Sequence, residues 1–288
     1  MLTSLENVLN YAEEKEIAIG SFNTPNLESL RAVITAAEEL KVPVIVQMAQ
    51  CHEPLIPLSI IGPIMVDEAR RAAVPVCVHL DHGETVEYIE EALKMGFTSC
   101  MFDGSTLPFE DNIRITKQVV ALAKSYGANV EAELGSMGER EFGEGTSVDD
   151  DTKIYTDPAL AGEFVKRTGI DAIACSFGTT HGLYLTKPKL NFDIVRQVRR
   201  NTDNLPVVMH GGSGVSSEGY RDSIRAGVRK INYFTYMDKA GGAAADEYLK
   251  DLKPEEPAFY SSIRLAAEKA MKENVLEAMK VFAMKEEK

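Results

Sequence analysis

Two histidines and an aspartate stand close together at residues 78–83, in the sequence VHLDHG, directly after the apolar run 74–77. Imidazole can bind a divalent metal or move a proton near neutral pH, and a carboxylate can act as a general acid or base. Strand alternation would place His79 and Asp81 on one side of a strand and His82 beyond its end. Only one of the two histidines therefore needs to be a metal ligand.

Two further histidines also follow apolar, strand-like runs. His181 comes after residues 171–178, and His210 closes residues 205–212. Histidines at three independent strand ends favour a three-histidine divalent metal site with an open coordination position over unrelated surface or core histidines. His52, by contrast, is interpreted as an ordinary surface or satisfied core histidine.

The stretch HGGSGV, residues 210–215, leads from a predicted strand into a helix that starts near Ser216. Its glycines let backbone N–H groups approach a ligand at the helix N-terminus, where the helix dipole favours an anion. A plain turn would explain one glycine but hardly three around Ser213. The segment therefore predicts a phosphate-binding loop.

Short β-branched runs alternate with longer segments of helical periodicity along the whole chain. The predicted strands cover residues 16–24, 42–49, 74–81, 97–104, 129–135, 171–178, 205–212 and 229–235. Eight such units predict an α/β fold, a closed (β/α)8 TIM barrel, whose C-terminal strand ends converge on one face and bring the histidines together. The alternative, an open doubly wound sheet, usually carries GxGxxG after its first strand, where this chain has SFNT.

Residues 1–288 are predicted to form a single barrel domain, with a C-terminal helical extension from about residue 256 that packs on the barrel or on a second subunit. The first residues, MLTSLENVLNYAEEKE, predict an amphipathic helix rather than a signal peptide. The polar, glycine-rich segment 135–156 is predicted to be a mobile loop over the barrel mouth.

The composition, with 44% apolar and 26% charged residues, is that of an ordinary soluble globular protein, and no apolar run approaches the length that spans a bilayer. A formal net charge of −13 argues against nucleic acid or an anionic membrane as a partner. The four cysteines are scattered without a CxxC pair. This pattern favours reduced, buried thiols in a cytoplasmic protein over disulfides or a thiolate metal site.

Taken together, the motifs LDHG, EAELG, GTTHG and HGGSG resemble those of the class II, zinc-dependent ketose-bisphosphate aldolases, the fructose- and tagatose-bisphosphate aldolase family. The likeness runs from SFN in the first predicted strand through MFDGS to KIN in the last. It implies a lyase that reversibly cleaves a ketose 1-phosphate or 1,6-bisphosphate into dihydroxyacetone phosphate and an aldehyde. A homodimer or homotetramer that acts in carbohydrate metabolism is expected.

The resemblance also implies roles for individual residues. The zinc ligands would be His82, His181 and His210, and Asp81 would take the proton from the C4 hydroxyl during cleavage. An alternative metal position would be lined by Asp103 and Glu133, and Glu141 would move the proton at C3. The C1 phosphate and the dihydroxyacetone-phosphate part would be bound by Gly182, Gly211, Ser213, Asn232 and Thr235. A monovalent cation, Na⁺ or K⁺, would lie beside that phosphate, near Gly182 and Gly211.

A Schiff-base lysine offers another route to aldol cleavage. The sequence does not favour it, because no lysine ends the sixth predicted strand and Lys230 starts the eighth on the wrong face.

Phe234 and Tyr236 depart from the family pattern, which usually has a small or acidic residue before the threonine at position 235 and an acid after it. An aromatic wall cannot replace the hydrogen bonds of an acid. The departure predicts a preference for a ketose 1-phosphate altered at C4 to C6, such as a deoxy or sulfonated sugar, over fructose 1,6-bisphosphate. The alternatives are ordinary bisphosphate specificity, with the rings packed on neighbouring loops or a partner subunit, and a non-catalytic regulator or scaffold that binds sugar phosphates.

Overall fold

Eight parallel strands close into a barrel in the computed structural model, which describes residues 1–135, 155–180, 182 and 188–285. The strands are β1 (Leu2–Thr3), β2 (Ile19–Asn23), β3 (Val44–Ala49), β4 (Val76–Gly83), β5 (Ser99–Phe102), β6 (Asn129–Leu134), β7 (Ala172–Cys175), β8 (Val207–Met209) and β9 (Val228–Tyr233). Strands β2 to β9 form the barrel, and the pairing of β4 with β5 completes the ring. The predicted (β/α)8 barrel is confirmed.

The short strand β1 was not predicted. It pairs in parallel with the first residues of β4, with Leu2 opposite Val76 and Thr3 opposite Cys77. Two residues are too few for a periodic pattern, so the sequence alone predicts only the helix that follows.

Helices alternate with the strands. They are α1 (Leu5–Lys15), α2 (Leu27–Leu40), α3 (Leu58–Arg71), α4 (Val86–Met95), α5 (Phe109–Ser125), α6 (Pro158–Thr168), α7 (Phe192–Asn201), α8 (Ser217–Ala226), α9 (Thr235–Asp251) and α10 (Tyr260–Phe282). Several begin at a polar N-cap: the side chains of Asn26, Thr85 and Ser216 accept hydrogen bonds from the first turns of α2, α4 and α8. These caps satisfy backbone donors that would otherwise lack partners, so they fix where each helix starts.

Two apolar cores stabilise the barrel. The larger lies between the strands and the surrounding helices and includes the fully buried Phe22, Phe102 and Phe164. The smaller lies inside the barrel at its N-terminal end, where Leu5 and Leu9 of α1 pack with Ile19, Ile45 and Val208 of the strands. Helix α1 therefore closes the bottom of the barrel.

The C-terminal helix α10 packs against the barrel side. The Tyr233 hydroxyl donates to Asn274 Oδ1 at 3.0 Å, and the Ala18 N–H donates to the Phe282 carbonyl at 3.0 Å. In the described part of the chain, no helix is both long and apolar enough to cross a membrane. Most of the predicted mouth loop, residues 136–154, lies outside the described residues, as do His181 and Glu141.

Candidate active site

The segment VHLDHG forms the last six of the eight residues of β4 and contains a break in regular strand geometry. The strand continues to Gly83, and its register with β5 shifts between Leu80 and Gly83. His82 adopts a left-handed backbone conformation with φ of 47°. The prediction that His82 lies beyond the strand end is therefore wrong. The break cancels the alternation of faces, so Asp81 and His82 both point into the barrel mouth, with 3.9 Å between Asp81 Oδ1 and His82 Nε2.

His82 and His210 converge on one point from opposite sides of the barrel. His210 follows β8 directly, and its Nδ1 lies 3.0 Å from His82 Nε2. Together with a carboxylate oxygen of Asp81, these nitrogens form a group close enough to hold one metal ion. His79 lies elsewhere: it is fully buried, and its Nδ1 is 2.7 Å from Ser99 Oγ. Of the two histidines in VHLDHG, His82 is thus the one in this candidate metal-binding cluster, which consists of Asp81, His82 and His210.

A second group of possible ligands adjoins the first and consists of His82, Asp103 and Glu133. His82 Nδ1 is 2.7 Å from Asp103 Oδ2, and Asp103 also accepts hydrogen bonds from the Ser105 N–H and hydroxyl. Burial, and after it the carboxylate of Asp103, raise the pKa of Glu133 well above its ordinary value. The Glu133 Oε2 atom is buried and has no hydrogen-bond partner among the described residues.

These donors fit a divalent cation. Burial lowers the pKa of His82, but the negative charge of Asp81 and the hydrogen bond to Asp103 outweigh it and raise the pKa to about 10. The carboxylates around His82 therefore attract positive charge strongly. In the metal-free protein, a proton on His82 supplies part of that charge. Imidazole nitrogens with carboxylate oxygens are a donor set that suits zinc and other first-row metals.

Asp81 is held by three amide side chains. Its Oδ2 accepts from Gln47 Nε2 at 3.0 Å and from Asn23 Nδ2 at 3.2 Å, and its Oδ1 accepts from Asn232 Nδ2 at 3.1 Å. Burial opposes ionisation of Asp81, but electrostatic interactions with His82 and then His210 outweigh it and lower the pKa to about 2. The carboxylate is therefore ionised and fixed in orientation.

Sequence reasoning missed the roles of Asn23 and Gln47. Both are buried polar residues in strands that otherwise consist mostly of apolar residues. Asn23 stands two residues after another buried polar residue, Ser21, whose hydroxyl donates to Gln47 Oε1. Polar residues at alternating positions in a buried strand point to the barrel interior, and this pattern could have identified them.

The HGGSGV segment forms a tight loop ahead of α8. Gly211 has φ of 60°, and a Cβ atom there would lie 2.4 Å from the Thr180 carbonyl oxygen, so no larger residue fits. Ser213 Oγ accepts a hydrogen bond of 3.0 Å from the Phe234 N–H, which joins this loop to the start of α9. The predicted phosphate-site residues Gly182, Gly211, Ser213, Asn232 and Thr235 line one cavity together with Asp81 and His82.

The two unusual aromatic residues occupy different places. Phe234 lines the same cavity, and its ring centroid lies 4.7 Å from that of the buried His52. Tyr236 packs on the HGGSGV loop instead: its ring lies 2.8 Å from where a Cβ of Gly214 would stand. His52 is therefore a core histidine rather than a surface one.

Below the metal-binding cluster lies a fully buried ion pair, in which Lys230 Nζ donates to Glu131 Oε2 at 2.8 Å. The other carboxylate oxygen, Oε1, is 2.7 Å from His210 Nε2. Burial opposes the charge on Glu131, but Lys230 and the hydrogen bond with His210 outweigh it and hold its pKa below the ordinary value. The expectation that Lys230 lies on the wrong face of its strand for the barrel interior is wrong. Its side chain enters the interior, where its ammonium group is paired with Glu131.

Known proteins resemble the chain over nearly its whole length. The family model described as fructose-bisphosphate aldolase class-II matches residues 3–287. The fructose-bisphosphate aldolase of Geobacillus stearothermophilus is 37% identical over 291 residues, which cover 98% of this chain and 96% of that protein. The crystal structure of the YdjI aldolase from Escherichia coli K12 superposes with a TM-score of 0.86 at 37% identity and covers 98% of this chain and 97% of its own. The fructose-bisphosphate aldolase of Campylobacter jejuni gives a TM-score of 0.81 at 25% identity over 98% of this chain and 95% of its own. Since the family model matches nearly the whole chain and two of these relatives are 37% identical over at least 96% of their own length, the chain belongs to the class II fructose-bisphosphate aldolase family, whose members are metal-dependent lyases.

Proposed function

We propose that this aldolase uses zinc to cleave a ketose 1-phosphate or 1,6-bisphosphate reversibly into dihydroxyacetone phosphate and an aldehyde. The observation that supports this most is the position of Asp81. An ionised carboxylate held by three amides lies 3.9 Å from a potential metal ligand, in a cavity that also contains the glycine loop. A base, a metal ligand and an anion site thus meet within reach of one small substrate.

Each residue has a distinct part in the proposed reaction. His82 and His210, with His181 from outside the described residues, would hold the metal ion. When bound, zinc supplies a Lewis acid that polarises the ketose carbonyl and stabilises the charge left when the C3–C4 bond breaks. Asp81 takes the proton from the C4 hydroxyl as that carbon becomes the aldehyde. Glu141, also outside the described residues, would move the proton at C3.

The C1 phosphate is assigned to the glycine loop and its neighbours. Backbone N–H groups at Gly182 and Gly211, with the hydroxyls of Ser213 and Thr235, would bind it near the N-terminus of α8. Asn232 would contact the dihydroxyacetone-phosphate part while it also donates to Asp81. Backbone carbonyls near Gly182 and Gly211 would hold a monovalent cation, Na⁺ or K⁺.

Asp103 with Glu133 would form the alternative position of the divalent metal ion.

A second candidate is the same chemistry on a ketose 1-phosphate altered at C4 to C6, such as a deoxy or sulfonated sugar. The observation that favours it is the ring of Phe234, which lines the cavity and packs against His52. An apolar ring accepts a substrate without a hydroxyl partner better than a polar site would. Tyr236 does not share this role, because it packs on the phosphate loop.

The chain is proposed to act as one barrel domain with a C-terminal helical extension, assembled into a homodimer or homotetramer. Phe259, Tyr260 and Leu265, just before and within the first turns of α10, are 60%, 77% and 52% exposed. Apolar side chains grouped in this way indicate a surface that a partner covers. Leu265→Asp should lower the mass measured by light scattering, whereas Leu55→Asp, which changes an exposed residue between β3 and α3, should not.

A cytoplasmic location is also proposed. It is supported by the buried free thiols of Cys77, Cys100 and Cys175, because an oxidising compartment favours disulfides. Cell fractionation of the native host would test this location.

An assay of triose phosphate release tests the proposed reaction. Fructose 1,6-bisphosphate, tagatose 1,6-bisphosphate and C6-modified ketose 1-phosphates should be supplied to the untreated protein, to protein stripped with a chelator, and to stripped protein given zinc. We expect release that disappears with the metal and returns with zinc. Release that survives complete removal of metal would contradict the proposal.

A further inference from the structure

A buried pair of charged residues lies beneath the metal-binding cluster and contacts it through a single histidine. Glu131 and Lys230 are both fully buried, and neither belongs to the cavity that would bind substrate. Glu131 bridges the pair and the site, since its Oε2 accepts from Lys230 Nζ at 2.8 Å and its Oε1 lies 2.7 Å from His210 Nε2. Replacing a buried ion pair with apolar side chains of similar volume often leaves a protein equally stable or more stable. The presence of this pair beneath the site therefore calls for an explanation.

The contact between Glu131 and His210 determines which nitrogen of His210 carries hydrogen. An ionised carboxylate can only accept, so Nε2 must be the donor, and a neutral imidazole then has an unprotonated Nδ1. That Nδ1 is the atom that lies 3.0 Å from His82 Nε2, at the metal-binding cluster. Asn232 Nδ2, 3.3 Å from the same Nε2, has an acceptor in Asp81 and does not compete.

We propose that Glu131 is a positioning residue for the metal site, which accepts from His210 Nε2 and so fixes the tautomer and ring orientation of His210, and that Lys230 holds the Glu131 side chain in place by donating to its other oxygen. The inference rests on the proposed metal-dependent function and adds residues that do not touch substrate. Asp103 provides the corresponding contact for His82, 2.7 Å from its Nδ1, but Asp103 is partly exposed and needs no buried cation. The two ligands are thus oriented by carboxylates in different environments.

Two double variants separate positioning from simple charge pairing. Lys230→Met with Glu131→Gln removes both charges but keeps an oxygen that can accept from His210 Nε2. Lys230→Met with Glu131→Leu removes the charges and the acceptor, at similar side-chain volume. Neither variant leaves an unpaired charge buried, so both are expected to fold, and circular dichroism would check this.

The primary readout is zinc affinity, measured by competition with a chelator. Loss of the partner of a metal-ligating histidine typically weakens metal binding by about 10- to 100-fold. We expect the Glu131→Leu double variant to bind zinc about 10- to 100-fold more weakly than the Glu131→Gln double variant. Leu5→Ala, which disturbs the apolar plug at the other end of the barrel, is the control for lost stability and should keep the wild-type affinity.

A second readout reports the tautomer itself. ¹⁵N spectra of the histidine side chains should show His210 protonated at Nε2 in the Glu131→Gln double variant and a mixture of tautomers in the Glu131→Leu double variant. Equal zinc affinities in the two double variants would overturn the inference and leave the proposed function intact. A wild-type protein that binds no zinc would overturn both.

Discussion

The lower and upper halves of the barrel interior are lined by the same strands but by opposite kinds of side chain. In β2, the apolar Ile19 is followed two residues later by Ser21. In β3, Ile45 is likewise followed two residues later by Gln47. The lower half is sealed by α1 and buries apolar surface. The upper half contains carboxylates, imidazoles and a lysine, and specific hydrogen bonds hold Asp81, Glu131 and Lys230 among them.

This difference shows how one fold separates stability from chemistry. Apolar burial below stabilises the barrel, roughly in proportion to the area removed from water. Polar groups above cost free energy to bury, and hydrogen bonds and ion pairs offset that cost. A substitution in the lower half should therefore affect mainly stability, and one in the upper half mainly reaction or binding.

The largest effect is expected at Asp81. Asp81→Ala should lower kcat/KM by about 10²- to 10⁴-fold, the usual loss when a general base is removed, and should still retain zinc. Steady-state kinetics with metal analysis of the same preparation would measure both. If the variant instead lost its metal, Asp81 would be a ligand rather than the base.

Leu5→Ala should have the opposite consequence. Leu5 is fully buried in the lower plug, and loss of such a side chain typically costs about 2 to 5 kcal/mol in the free energy of unfolding. Denaturant unfolding should show this loss, while kcat/KM per folded molecule should remain at the wild-type value. A marked fall in kcat/KM without a fall in stability would remove the distinction between the two halves.

Gly211→Ala tests the phosphate loop. The substitution places a Cβ 2.4 Å from the Thr180 carbonyl oxygen at a positive φ, and backbone strain of this kind costs about 1 to 3 kcal/mol. We expect KM for a ketose 1-phosphate to rise by about 10-fold, since each 1.4 kcal/mol is a factor of about ten. Gly242→Ala is the matched control, because an added Cβ there meets nothing within 4 Å. An unchanged KM for Gly211→Ala would place the phosphate elsewhere.

The smallest effect is expected at Phe234, and it concerns specificity. Phe234→Asp should raise kcat/KM for fructose 1,6-bisphosphate relative to a C6-deoxy ketose 1-phosphate by about 10-fold, because it restores a hydrogen-bonding group to the cavity wall. Tyr236→Phe should leave that ratio unchanged, since Tyr236 packs on Gly214. Equal changes in both variants would contradict the assignment of Phe234 alone to the distal wall.

Much of this architecture could be predicted from the sequence, and the exceptions have physical causes. The β-branched runs predict the eight barrel strands, and His82 and His210 could be assigned to one rim because parallel strand ends converge. The irregular end of β4 could not be predicted, because one left-handed residue cancels an alternation that sequence patterns assume.

The buried support of the site was also missed. Glu131 stands two residues before Glu133 in the motif EAELG, and its partner Lys230 lies 99 positions away in β9. A single sequence shows each charge but not the pairing across the barrel interior. Glu131 and Lys230 come into contact because the strands close into a barrel.

Zinc titration of metal-free protein tests the central claim most directly. Protein stripped with a chelator would receive zinc in steps, and triose phosphate release from a cleavable ketose phosphate would be measured after each addition. The account predicts no release without metal and a linear rise that ends at one zinc per chain. Full release from the stripped protein, or a rise unrelated to bound zinc, would contradict it.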